Sequence, residues 1–274
     1  MKFPAIALLA ALTCTSPVLA DNHVFHDAVT GIDLPADIST PDDDSANSRN
    51  GLHPVIFLMH GCGGLDQGSR MHLGKLAQKY NDHGFITVTP DSFAPRHLSE
   101  VCGTNAVSWE ERAVDLLVIL NQLSSVKDLN ADTDRVYAYG LSHGAAAVLS
   151  AARGQADDPD EFPKGPVAVF AYYPPCAFYL GANGLAPNIP TFIFSGTADT
   201  LTPSKDCEKA ASDNASHPDV HVAIYDGAYH GFDMPFPRFK GPLNTIMGYD
   251  AAATNASHKV IEDYFKSQGI EMSF

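Results

Sequence analysis

Six short runs rich in apolar and β-branched residues recur along the chain: Val55–Met59, Phe85–Val88, Asp134–Tyr139, Val167–Tyr172, Thr191–Phe194 and Val220–Tyr225. A run such as Val55-Ile56-Phe57-Leu58-Met59 is apolar at every position, so it reads as a strand covered on both faces. Helical stretches fall between the runs, at His72–Tyr80, Val107–Leu123, His143–Ala152 and Asn255–Lys266. In the second of these Val114, Leu117, Val118 and Leu120 recur at helical spacing. Strands alternating with helices predict an α/β fold, a mostly parallel central sheet with helices on both faces. Ligands of such sheets sit at the carboxyl ends of the strands, so chemistry is sought in the loops that follow them.

The remaining sequence bounds the function. The chain has 274 residues and a formal net charge of −15, which argues against a nucleic-acid partner, because phosphate binding needs a basic surface. No glycine-rich loop runs into Lys-Ser or Lys-Thr, so a P-loop nucleotide site is excluded. Lys2, the apolar Ala5–Leu12 and the small Ala20 read as a signal peptide over residues 1–20, cleaved after Ala20. It is too short for a membrane span, and Thr13 is an awkward neighbour for an acylated Cys14. Residues 36–51, with Asp42-Asp43-Asp44, read as an exposed connection, and Asp157–Glu161 as a solvated loop. Residues 21–274 are therefore expected to form one domain, secreted or periplasmic.

Export leaves Cys62, Cys102, Cys176 and Cys207, an even number with no C-x-x-C pair. The pairing Cys62–Cys102 and Cys176–Cys207 is favoured, because each cysteine is expected in a loop after a strand on one rim. Four buried free thiols are the alternative. No cysteine or histidine cluster has the spacing of a metal site, so neither metal nor cofactor is expected.

Val136-Tyr137-Ala138-Tyr139-Gly140-Leu141-Ser142-His143-Gly144 passes from a strand through G-x-S-x-G into an alanine-rich helix, the form of a nucleophile elbow. Three fixed residues arise by chance in about one such chain in ten, so the motif needs partners. A serine hydroxyl requires a base, and a histidine base requires a carboxylate to hold its tautomer. Asp199 ends the turn after Phe192-Ile193-Phe194, and glycine-flanked His230 follows the strand Val220–Tyr225. Ser142, Asp199 and His230 thus stand at three strand ends in the order that an α/β-hydrolase sheet requires. Asp226 ends its strand too early, His217 and His221 read as surface residues, and His143 is badly aimed at its own neighbour. The backbone N–H groups of Cys62, in the loop His60-Gly61-Cys62-Gly63-Gly64, and of His143 are the expected oxyanion donors. Arg112 and Asp115 read as an ion pair on the helix, and Asp91 as a loop-fixing carboxylate. Phe232, Met234, Pro235, Phe236 and Pro237 either wall a pocket or pack a loop. Asn214 and Asn255 head N-x-S sequons.

The segments "FLMHGCGG", "GFITVTPDSFAPR", "ERAVDLL", "VYAYGLSHG", "FIFSGTADTLTP" and "YDGAYHGF", in that order, make the chain resemble the dienelactone hydrolase family of α/β-hydrolases. The resemblance covers roughly residues 50–268 and implies Ser142 as nucleophile, Asp199 as acid and His230 as base. Members that open dienelactone itself carry cysteine at the nucleophile position and an acidic residue beside the oxyanion loop. This chain has Ser142 and Gly61 there, which points away from dienelactone. The His60–Gly61–Cys62 loop is also similar, more loosely, to secreted feruloyl esterases and polyhydroxybutyrate depolymerases. The expectation is an exported serine hydrolase acting on a small ester or lactone through an acyl-enzyme. A small peptidase or amidase on the same triad, or a catalytically silent binding protein, is the alternative.

Overall fold

Successive residues of each apolar run feed two different cores. The computed structural model describes residues 21–41, 46–104, 106–157, 163–179, 189–213, 215 and 219–274. In β3 (His53–Met59), Val55, Phe57 and Met59 join an aliphatic layer under α2 (Trp109–Gln122) and α3 (His143–Asp157). Ile56 and Leu58 enter an aromatic layer under α1 (Gln67–Asn81) and α5 (Ala251–Ser267). There Phe265 meets the rings of Tyr80, Phe85, Tyr137 and Phe170. Burying one such ring is worth roughly 2–3 kcal/mol.

The other strands are β4 (Ile86–Pro90), β5 (Ala131–Leu141), β6 (Ala168–Tyr172), β7 (Thr191–Gly196) and β8 (Val220–Tyr225). With β1 (Asp21–His26) and β2 (Asp33–Ser39) they form one sheet in the order β1-β2-β4-β3-β5-β6-β7-β8. The six strands β3 to β8 pair parallel, while β1 and β2 extend the edge antiparallel. After β3 the chain builds β4 outward and then returns to the other side of β3 for β5. The loops leaving β3 and β5 therefore part at the switch point of the sheet, which opens a crevice at its carboxyl edge.

Several expectations need correction. Residues 36–51 are not all connection, since Ala36–Ser39 complete β2 with Ile38 and Ser39 buried. Helix α2 begins at Trp109 and not at Val107, because Ser108 and Glu111 close a reciprocal capping box. Helix α5 begins at Ala251, where the Asp250 side chain accepts from the Ala253 N–H. The disulfides are Cys62–Cys102 and Cys176–Cys207, with Cα–Cα distances of 4.9 and 4.8 Å. Cys207, however, lies within α4 (Ser204–Asp213) and not in a loop. The expected signal peptide with Cys14, the run after Asp157, Asn214 and His217 lie outside the described residues. No helix among the described residues is long and apolar enough to cross a membrane.

Candidate active site

Ser142 stands between the last residue of β5 and the first of α3 with φ of 53°. A non-glycine residue there carries about 1–3 kcal/mol of backbone strain. Flanking glycines make the turn possible for a steric reason. A Cβ on Gly140 would lie 2.3 Å from the Gly144 carbonyl oxygen, and one on Gly144 would lie 2.3 Å from the Met59 oxygen. The turn is thus pressed against the end of β3, and the Ser142 N–H is fixed by the Tyr172 carbonyl at 2.9 Å. The positive end of the α3 dipole lies at the serine.

Asp199 and His230 meet beside it. The imidazole Nδ1–H donates to Asp199 Oδ2 at 2.7 Å, and both side chains are buried. Asp199 Oδ1 accepts from the Leu201 and Thr202 N–H groups at 2.8 and 3.0 Å, and the Thr202 hydroxyl reaches Oδ2 at 2.8 Å. Burial would raise the Asp199 pKa, but hydrogen bonds from His230 and Thr202 outweigh it and hold the carboxyl below its ordinary range. An ionised Asp199 obliges Nδ1 to carry the proton, leaving Nε2 as the acceptor. Asp199→Asn is expected to lower kcat by roughly 10³- to 10⁴-fold, because an amide also stabilises the wrong tautomer. Steady-state kinetics with unchanged circular dichroism checks this.

The loop after β3 brings Gly61 and Cys62 to the same place. The Cys62–Cys102 bridge and the Val101 N–H, which donates to the Cys62 carbonyl at 2.8 Å, tie this loop to the segment before α2. Neither the Cys62 nor the His143 N–H has an acceptor among the described residues. The His143 ring does not line the crevice. Its Nδ1 accepts from Arg112 Nη1 at 2.9 Å, and the ring packs on Phe93 and Trp109. Burial, then the Arg112 charge, pushes this imidazole down to about 4, against a smaller opposing pull from the Val107 carbonyl.

Ser142 and His230 open onto one pocket of about 170 Å³, without a hydrogen bond between them. Such contacts commonly close only around a substrate. Leu141, Leu201, Met234, Phe236, Phe239 and Met247 give the pocket apolar walls. Of the residues expected either to wall a pocket or to pack a loop, Met234 and Phe236 do the first and buried Phe232 the second. A larger open groove of about 750 Å³ adjoins it and shares Gly63, Asp66 and Pro242 with it. Part of the wall is a two-stranded hairpin of β9 (Phe239–Lys240) and β10 (Ile246–Met247), and Met247 bridges to His230.

The remaining charged residues have other duties. Asp91 Oδ1 accepts from the Phe93 and Ala94 N–H groups, which makes it the expected loop-fixing carboxylate. Asp226 accepts from the Thr197 hydroxyl at 3.0 Å, and His221 is exposed on β8. The expected Arg112–Asp115 pair does not form. Asp115 holds Arg96 through two 2.9 Å hydrogen bonds, because the loop after β4 delivers Arg96 to it, and Arg112 points instead toward the crevice loops.

Sequence reasoning missed Tyr173 and the network behind it. Tyr173 follows β6, so it occupies the same strand-end position as the other site residues. Its ring lies 4.5 Å from that of His230 and lines the pocket. The Tyr173 and Tyr139 hydroxyls each donate to buried Asp233 at 2.7 Å, and His72 Nε2 reaches it at 3.1 Å. Burial would raise the Asp233 pKa, but His72 and the two phenols more than offset this and hold it low. The network anchors the loop carrying His230, three residues before Asp233. Thr202, three residues after Asp199, was a local signal for an Asx-type turn.

Among the described residues no group of three or more His, Cys, Asp or Glu is placed to hold a metal ion. The sheet order and the elbow at its switch point define the fold as that of the α/β-hydrolases. A Klebsiella pneumoniae subsp. pneumoniae protein assigned as a dienelactone hydrolase superposes with a TM-score of 0.67 at 15% identity, over 90% of this chain and 98% of its own. Thermogutta terrifontis esterase 2 phosphorylated by paraoxon superposes with a TM-score of 0.64 at 17% identity, over 94% and 98%. Its propionate-bound form gives 0.63 at 19% identity, over 93% and 97%. No curated protein sequence matches the chain. The model of the dienelactone hydrolase family matches residues 45–269. The chain belongs to that family, and is a carboxylic ester hydrolase.

Proposed function

We propose that the protein is an exported serine esterase that hydrolyses neutral, short-chain carboxylic esters or lactones. The observation carrying this reading is the buried His230–Asp199 pair opening, with strained Ser142, onto one small apolar pocket. Ser142 Oγ attacks the ester carbonyl carbon as its proton passes to His230 Nε2. The carbonyl oxygen becomes an oxyanion, held by the Cys62 and His143 N–H groups. The intermediate collapses as His230 returns the proton to the departing alcohol, which leaves an acyl-Ser142. Water then attacks, gives its proton to His230, and the acid is released as Ser142 regains its proton.

Size and charge narrow the substrate. A volume of about 170 Å³ beside Ser142 lies below the roughly 300–1,000 Å³ of sites for drug-sized ligands, which supports a short acyl group. Among the described residues, those lining the pocket and the adjoining groove include Asp66, Asp91 and Glu100 but no lysine or arginine. An acyl group bearing a carboxylate finds no counter-ion there. Export is supported by the signal-peptide form of residues 1–20 and by the two disulfides.

Paraoxon phosphorylates Thermogutta terrifontis esterase 2, and the same reagent tests this chain. Intact-mass and peptide mass spectrometry are expected to show one diethylphosphoryl group, on Ser142, with one p-nitrophenolate released. Protein left unlabelled would refute the activated serine. The p-nitrophenyl ester of butyrate is expected to exceed that of hemiglutarate by at least about tenfold in kcat/KM, since one uncompensated charge easily exceeds 1.4 kcal/mol. Equal rates would overturn the assignment of a neutral acyl group.

A further inference from the structure

Arg112 is a buried cation that the reaction sequence above does not use. It lies on α2, its side chain is fully enclosed, and Asp115, three residues further along the helix, is taken by Arg96. Among the described residues its guanidinium makes two hydrogen bonds, and they go to two different segments. Nη2 donates to the His60 carbonyl at 2.8 Å, and Nη1 donates to His143 Nδ1 at 2.9 Å. The Phe93 ring lies against the same group, 4.9 Å from its central carbon, and among the described residues Nε has no acceptor. Burial draws the pKa of this arginine down to about 9, with Asp115 and Asp91 pulling it back up, so it stays charged at neutral pH.

Packing alone does not call for such a residue. A buried charge without a contacting carboxylate is unfavourable, and an apolar side chain of similar volume commonly serves stability as well or better. What an apolar side chain lacks is the two-pronged donor. His60 immediately precedes the Gly61–Cys62 loop after β3, and His143 immediately follows Ser142 after β5. These are the two segments that part at the switch point of the sheet. Fixing the His60 carbonyl sets the peptide plane from which the Gly61–Cys62 turn departs. Fixing the His143 ring sets the first residue of α3. The guanidinium is planar, and its fork holds both acceptors in one fixed relation.

We infer that Arg112 is a positioning residue for the oxyanion hole, clamping the His60 and His143 segments so that the Cys62 and His143 N–H groups converge on one oxygen. The inference rests on the reading of those two N–H groups as the donors. It also gives His143 a role as the handle by which the clamp holds the residue after the nucleophile. Bound this way, the neutral ring accepts at Nδ1 and keeps its proton on Nε2.

Arg112→Met tests it, because methionine fills space and donates nothing. A misplacement on the order of 1 Å at the reacting centre can cost about 100-fold, so kcat for p-nitrophenyl butyrate is expected to fall roughly 30- to 100-fold with KM within about threefold. A short-chain trifluoromethyl ketone, which binds as an oxyanion adduct of Ser142, should lose affinity in step with kcat/KM. The matching p-nitrobutyranilide, which binds as an uncharged carbonyl, should keep its inhibition constant. Nitrogen-15 spectra should show the His143 Nδ1 acceptor signal lost. Should Arg112→Met be recovered only as aggregate, Arg112→Lys carries the same measurements, since one ammonium cannot reproduce the fork. Unchanged kcat and unchanged trifluoromethyl ketone affinity overturn the clamp, as does an equal loss of both inhibitors. Failure of the serine reading shows separately, as wild-type protein that paraoxon leaves unlabelled.

Discussion

Ser142→Ala is expected to lower kcat for p-nitrophenyl butyrate by at least about 10⁴-fold, because nucleophile and base act as a unit and little chemistry survives without either. KM should change little, since the pocket walls are untouched, and the melting temperature should stay near that of the wild type. The strained backbone at φ of 53° is set by the surrounding glycines and not by the serine side chain. Phosphorylation by paraoxon should disappear with the hydroxyl. Hydrolysis that persisted within tenfold of wild type would place the nucleophile elsewhere.

Gly144→Ala should do through packing what Ser142→Ala does through chemistry. The added methyl would sit 2.3 Å from the Met59 oxygen and 2.5 Å from the His60 oxygen. Both are backbone atoms at the end of a buried strand, so neither can rotate away as a side chain would. The loss of stability is expected to reach at least about 3 kcal/mol, above the usual range for overpacking. That corresponds to a fall of about 6–12 °C in Tm for a chain of this size. Gly74→Ala is the control: beyond its chain neighbours and its own helix backbone, no atom among the described residues lies within 4 Å of its would-be Cβ, and alanine favours the helix by about 1 kcal/mol. Thermal unfolding of the pair checks both signs, and a Gly144→Ala protein as stable as wild type would contradict the crowding.

The interior of the parallel sheet was legible because β3, β4, β6 and β7 are covered on both faces and read as nearly continuous apolar runs. The edge strand β8 still shows as the apolar-rich run Val220–Tyr225. β1 and β2 were not legible. In β1 only Phe25 is fully buried, and β2 contains Pro35, so neither shows the pattern of an interior strand. The Ser142, Asp199 and His230 positions could be read because each follows a strand within a few residues. Tyr173 satisfies the same rule and was passed over, since nothing local marks a phenol whose partner, Asp233, is brought by a distant loop. Arg112 shows the opposite limit. Its spacing to Asp115 on the helix suggested a pair, but spacing says nothing of Arg96, which arrives from another loop and takes the carboxylate. The hairpin of β9 and β10 has strands of two residues, too short to leave any period.

Each element of the site hangs from a separate strand end: the Cys62 loop from β3, Ser142 from β5, Tyr173 from β6, Asp199 from β7 and His230 from β8. None of these contacts is local in sequence, and long-range parallel pairing is slow to form. The site is therefore complete only once all five strands have paired. A refolding chain can regain helix before β8 docks on β7 and brings His230 to Asp199. Recovery of hydrolysis then marks the end of folding, later than the recovery of secondary structure.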